Sequence, residues 1–364
     1  CDQLEDPKSV KGIVKRGVTE LVTPGVSFND HVLEGKRNNF LASVHRGRNA
    51  IGVALLDIST GEFYCAQGSA PYIQKLLQGM SPAELIFARN QREFIEQHFP
   101  GDCATYALDE WVYEYEYTHD RLISQFRTAT LKGFGIDGME EAIIAAGAVL
   151  QYLEATEHRE TGHITSISRI EEDRYVWLDR FTIRNLELVT AQHDGGVPLL
   201  QILDRTVTPM GARLMRQWMV LPLRDKQAID DRLRIVHRFH KDADAAGLLR
   251  EHLGEVSDLE RLISKVAAAR INPRELNQLR RSLEAILPVR EWLLGREEED
   301  LRAIGRALSP CTEILERIKR ELRDNAPMLV NQGGVICDGI DAELDELRAI
   351  AFSGKDYLVQ LQQR

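Results

Sequence analysis

Asp57, at the end of the apolar run Ile51-Gly52-Val53-Ala54-Leu55-Leu56, has the surroundings of an active-centre carboxylate. In a sheet that carries a two-metal nuclease, such an acid converges with others on ions about 4 Å apart. Here the companions are missing. The run Glu84-Leu85-Ile86-Phe87 leads into Ala88-Arg89-Asn90 and offers no acid at its far end. A structural Asp57, bonded into the turn Ser59-Thr60-Gly61, is therefore the expectation. A degenerate hydrolase is the alternative, and it would require metal-dependent cleavage that Asp57→Asn abolishes.

Gly133-Phe134-Gly135-Ile136-Asp137-Gly138 is a literal GxGxxG. A dinucleotide site needs a strand directly before these glycines, so that pyrophosphate meets the N-terminus of the following helix. Residues 122 to 130 read instead as a helix and a short polar link, which makes the glycines loop residues. His237 and His240 lie three apart on one helix, with no further imidazole or carboxylate cluster to complete a metal set. Arg280-Arg281 and Arg317-x-Lys319-Arg320-x-x-Arg323 could touch phosphate, but acids interleave with them. A solvated helix face laced by i,i+4 pairs is the expectation. No Ser/His/Asp or Cys/His set points to nucleophilic catalysis, and no GxxxxGK[ST] loop occurs. The sequence thus assigns no catalytic, cofactor-binding, metal-binding or DNA-contacting residue.

The elements that would position these residues fall into two styles. Residues 40–44, 51–58 and 62–66 read as three strands, followed by a helix at 71–79, a strand at 84–87, a helix at 93–99 and a strand at 104–107. Helices at 119–127 and 139–157 complete an α/β unit, and the small residues from Ala142 to Ala148 suit close packing on a sheet. Before it, Val14 to Val22 is β-rich and closes on Pro24-Gly25. After residue 176 the chain is helical. Asp179, Thr182 and Asn185 are expected to bond free backbone groups at a buried, kinked junction. Thr208 before Pro209 caps a helix with Leu214, Trp218 and Leu221 on one face, and Asp225 caps another with Ile229, Leu233 and Val236. Ser257-x-x-Glu260 reads as a capping box, Asn272-Pro273-Arg274-Glu275 as a further cap, and Ser309-Pro310 as the opening of the next helix. A final helix follows Gly333-Gly334.

A length of 364 residues allows two or three domains, and 43% hydrophobic with 28% charged residues is ordinary for a globular chain. No apolar run reaches membrane-spanning length. Five scattered cysteines without a CxxC pair favour a reducing compartment and argue against structural zinc. Cys1 could alternatively be a processed lipoprotein start. The net charge of −10 does not advertise a nucleic-acid binder, although a whole-chain sum says nothing of domains outside this sequence. The sequence does not begin with Met, and a fragment of a longer chain is the expectation.

The stretch from Val176 to Asp225 resembles the start of the core, or lever, domain of the MutS mismatch-repair family. The resemblance is carried by Leu178-Asp179-Arg180-Phe181-Thr182-Ile183-Arg184-Asn185-Leu186-Glu187-Leu188, Leu203-Asp204, Thr206-x-Thr208-x-Met210-Gly211-x-Arg213-Leu214, and Trp218 with Pro222-Leu223-x-Asp225. Leu131-x-Gly133-Phe134-Gly135 and Ala145-Ala146-Gly147-Ala148-Val149-Leu150-x-Tyr152-Leu153 resemble the end of the family's connector domain. Gly339-x-Asp341-x-Glu343-Leu344-Asp345 resembles the opening of its long lever helix.

The resemblance implies an α/β plus all-α fold. Residues 1–30 would end a mismatch-binding domain, 31–158 would form a ribonuclease-H-like connector, and 159–364 a helical core or lever domain cut before the clamp. The family reads lesions with a Phe-x-Glu wedge near the start of the mismatch-binding domain, a region that would lie upstream of this sequence. For the full-length protein the resemblance implies mismatched double-stranded DNA, ATP with magnesium, a homodimer, MutL docked on the connector, and a bacterial cytoplasm without membrane attachment. For this chain it implies a coupling piece that is not itself an enzyme and holds no cofactor. A stand-alone interaction scaffold is the rival reading.

Overall fold

The computed structural model describes residues 2–3, 13–18, 20–99 and 103–362. Cys1, and with it the lipoprotein alternative, lies outside the described residues. The chain forms two compact units, Cys1–Ala246 with Asp258–Arg270, and Gly247–Ser257 with Ile271–Arg364.

In the first unit, β1 (Asp2–Gln3) and β2 (Arg16–Gly17) form a small antiparallel pair. The strand anticipated over Val14 to Val22 is therefore only two residues long. Thr23 and Val26 pair across the Pro24-Gly25 turn. The main sheet contains β3 (Leu41–Arg46), β4 (Ile51–Asp57), β5 (Glu62–Gly68), β6 (Glu84–Ala88), β7 (Ala104–Leu108) and β8 (Ser168–Arg169), in the order β7-β6-β3-β4-β5-β8. β3, β4 and β5 run antiparallel, while β6 and β7 run parallel to β3 and to each other. This is the ribonuclease-H-like order.

Both faces of the sheet are covered, which is why β4 is buried at every position rather than at alternate ones. Ile51, Val53 and Leu55 face a core shared with α1 (Ala70–Met80) and α2 (Arg92–His98). Ala54 and Leu56 face the other core, formed with α3 (Tyr115–Phe126) and α4 (Glu140–Ala155). Small residues allow that second layer to approach closely. A Cβ on Gly147 would overlap Thr118 of α3, and one on Gly52 would overlap the Glu141 carbonyl.

The helices that follow are α5 (Arg180–Asn185), α6 (Leu199–Leu203), α7 (Pro209–Val220) and α8 (Lys226–Lys241). Their starts are set locally. Asp179 Oδ1 accepts from Thr182 N (2.7 Å), Thr208 Oγ1 from Gly211 N (3.1 Å), and Asp225 Oδ2 from Ala228 N (2.8 Å). Val220 and Leu221 at the end of α7 join the core beneath α1. The junction around α5 is not buried as anticipated, because Phe181 and Leu186 are 72% and 60% exposed while only Ile183 and Leu188 turn inward. α9 (Ala243–Gly254) crosses the division between the units in sequence, and α10 (Leu259–Ala267) belongs to the first.

The second unit holds α11 (Pro273–Leu294), α12 (Glu299–Ala307), α13 (Thr312–Glu321) and α14 (Ala342–Gln362). Asn272 closes a complete capping box with Glu275 at the start of α11. The helix expected to open at Ser309-Pro310 starts two residues later, with Cys311 left-handed at its N-cap. α12 has no counterpart among the sequence expectations. Before α14, Gly339 takes φ +81°, its N–H donates to Asp345 Oδ2 (2.6 Å), and Asp341 Oδ1 accepts from Leu344 N (2.9 Å). The Gly-x-Asp-x-Glu-Leu-Asp spacing is thus a helix-start device.

Candidate coupling site

Asp57 is fully buried at the end of β4. Its Oδ1 accepts from the Ser59 N–H (3.0 Å) and hydroxyl (2.7 Å), and its Oδ2 from the Asn39 N–H (3.0 Å) and Asn38 Nδ2 (3.1 Å). Two donors per oxygen leave the carboxylate satisfied. Among the described residues no group of three or more His, Cys, Asp or Glu side chains is placed to hold a metal. Asp57 is a structural acid that ties the hairpin to residues 38–39.

Asn38 Nδ2 also donates to Glu62 Oε2, and Tyr64 donates to Glu62 Oε1 (3.1 Å). Burial, and then the charges of Glu260 and Asp57, push the Glu62 carboxyl above its ordinary range. Beside it stands Arg213 of α7, whose side chain is 2% exposed. Its guanidinium grips Asp258 with both nitrogens (2.7 and 2.8 Å), and it donates to Glu260 Oε2 (2.5 Å) and to the Gly35 carbonyl (2.9 Å). Burial alone would lower its pKa. The hydrogen bonds and charges of Asp258 and Glu260 outweigh that and hold it protonated. Arg216, one turn from Arg213, is pushed down to about 10 by burial and by Arg37, against the pull of Glu34. A cavity of about 20 Å³ between Asn38, Glu62, Tyr64, Arg216 and Gln217 has room for about one water.

This network was only partly visible in sequence. Ser257 does not cap α10. The N-cap is Asp258, which accepts from Arg261 N (3.4 Å), and Glu260 pairs with Arg213 instead of closing a box. Nothing in the sequence marked Glu84 either, although its Oε2 accepts from the Thr23 hydroxyl (2.5 Å) and Gly25 N–H (2.9 Å) and its Oε1 from Tyr152 (2.6 Å). The GxGxxG segment forms a 3-10 turn and an exposed loop before α4, with Gly135 and Gly138 left-handed. No strand precedes it. His237 and His240 are exposed. Arg317 makes the expected i,i+4 pair with Glu321. Arg280 differs, being 8% exposed and bonded to Asn277, Glu284 and Asp324, because α11 turns that face inward.

These groups include no nucleophile beside a base and no open carboxylate cluster. What they can do is hold: a buried ion network fixes α7, α10 and residues 34–39 against the hairpin, and an unpaired member would be costly. A ribonuclease-H-like domain with Asp57 sealed at the end of β4, joined to capped helices through such a network, defines a structural class built to hold its elements together.

The family model described as MutS domain II matches residues 39–165, and that described as MutS domain III matches residues 181–363. The chain belongs to the MutS family. Over all 364 residues it is 56% identical to the DNA mismatch repair protein MutS of Cytophaga hutchinsonii, 52% to that of Bacteroides fragilis and 51% to that of Phocaeicola vulgatus. In each case it spans 42% of the relative's length.

Proposed function

We propose that this chain is the connector and first lever portion of a cytoplasmic DNA mismatch-recognition protein, carrying a change of state between its DNA and nucleotide ends. The observation that supports this most directly is the Arg213 network, which ties α7 and α10 to residues 34–39, while Asn38 and Asn39 bond Asp57 and Glu62 of the sheet hairpin. In this reading residues 1–30 end the mismatch-binding domain, 31–158 are the connector and 159–364 the lever region. The intact protein is a homodimer that binds mismatched duplex, binds ATP with magnesium through another domain, and receives MutL on the connector. This portion performs no catalysis and binds no cofactor.

The test is a titration of the chain with mismatched and matched duplex, and with ATP. Equal, weak DNA binding and no ATP binding are expected. A clear mismatch preference would contradict the division of labour. In the full-length protein, Arg213→Ala is expected to leave mismatch affinity intact while reducing the effect of mismatch on ATP turnover. Unchanged coupling in a folded variant would overturn the role given to the network.

A further inference from the structure

Residues 20–37 run from the end of the small N-terminal pairing to β3 without regular structure of their own, and they are gripped along their length by cations from α7 and α10. Arg261 Nη2 donates to the carbonyls of Glu34 (2.9 Å) and Arg37 (3.1 Å). One turn further on, Lys265 pairs with Asp30. Just past the end of α10, Arg270 donates to Glu20 Oε2 (2.6 Å) and lies 5.1 Å over the Phe28 ring. Arg213 adds its bond to the Gly35 carbonyl, and Lys36 reaches back to Asp204 (3.1 Å).

Arg261 and Lys265 share a helix face by their i,i+4 spacing. Ala269, left-handed at φ +53°, turns the chain out of α10 before Arg270. The three cations therefore meet successive points of one segment. Arg261 is 7% exposed and the Lys265 side chain 12%. Ordering these long side chains has an entropic cost that only a held segment repays. The opposite end of Glu20 contacts His158 at 3.3 Å, where α4 ends, so the same acid also touches the sheet domain.

We infer that α10 is a clasp on residues 20–37, through which displacement of this segment passes directly into the helical region without crossing the sheet. What the segment is attached to upstream rests on the function proposed above; the clasp itself does not. The route follows from connectivity. Arg270 precedes Asn272, the N-cap of α11, by two residues in sequence. A pull on Asp30 or Glu20 loads α10 through side chains, whereas the alternative paths run through β3 and through the ties of this segment to Glu84 of β6 and to His158.

Hydrogen exchange of the 364-residue chain, read by peptide, separates these paths. Asp30→Lys and the milder Asp30→Asn are compared with the swap Asp30→Lys/Lys265→Asp. Expected is faster exchange, by about ten-fold or more, in residues 29–37 and in α10 for the single variants, with β3, β4 and β5 unchanged and protection restored by the swap. Unchanged α10 exchange in both single variants would overturn the clasp. So would a rise in α10 matched by an equal rise across the sheet, or a swap that restores nothing. None of these readings involves DNA, ATP or a partner, so failure of the repair assignment would leave them standing, and their failure would leave that assignment standing.

Discussion

Arg213 shows what a single side chain holds in place here. Its charge is nearly sealed from solvent and met by two carboxylates, so Arg213→Ala should destabilise the first unit by about 3 kcal/mol, chiefly by stranding Asp258, since water reaches and screens Glu260. Arg213→Lys should recover little, because an ammonium cannot reproduce the two-pronged grip on Asp258. Urea midpoints of the three proteins check both statements. A second expectation concerns acid. His45 is stacked on Tyr113 and 3.3 Å from Glu141, and burial lowers its pKa to about 4. Burial of the neutral ring contributes stability that is present above the ordinary pKa, about 6.5, and is lost as pH falls toward 4. The loss should reach up to about 3 kcal/mol, and His45→Asn should flatten stability over that window. His158 and His163, also lowered by burial, reinforce the same slope. Of these residues, Asp57 was half readable in the sequence, because Ser59 lies in its own turn while Asn38 and Asn39 do not. The partners of Arg213 lie 45 and 47 residues away, and no local spacing encodes that meeting.

Among the elements, the α/β half was legible almost residue by residue, because each strand is a short apolar block between turn signals and each helix begins at one. The misreadings occurred where two residues could play one part. Ser257 and Asp258 are both competent N-caps, and Asp258 took the position when Arg213 drew Glu260 away. α12 escaped notice because Glu297-Glu298-Glu299-Asp300 reads as a solvated link, although Leu301 beyond it is buried. Close approach sets the next expectations. Gly52→Ala and Gly147→Ala should each cost about 1–3 kcal/mol or more, since backbone and a neighbouring helix stand where the methyl would go. Gly133→Ala has open space and should be nearly neutral, a contrast thermal melts would reveal. Asn272→Ala should cost about 1 kcal/mol through loss of the bonds its side chain accepts from the Arg274 and Glu275 N–H groups.

For the whole molecule, the family was legible from a few ordered polar positions, and those positions now have physical reasons: Thr208 and Asp225 as caps, Gly339 as a left-handed turn, Arg213 as the centre of an ion network. α14 leaves Leu347 and Ile350 more than half exposed, and α8 does the same with Leu233 and Val236. In dilute solution α14 should exchange its amide hydrogens far faster than α4. Equal protection would mean that its apolar side is covered.

The order of strands in the sheet has a practical side. β7 pairs with β6 alone among the described residues, and Ala-Thr-Tyr-Ala-Leu carries neither a charge nor a proline to discourage a visitor. Tyr106 stands half exposed upon it. An unguarded margin of this kind invites like to zip onto like, so concentrated stocks should cloud with time while dilute ones stay clear. A lysine in place of Thr105 should act as a fence, lengthening shelf life without altering the melting temperature.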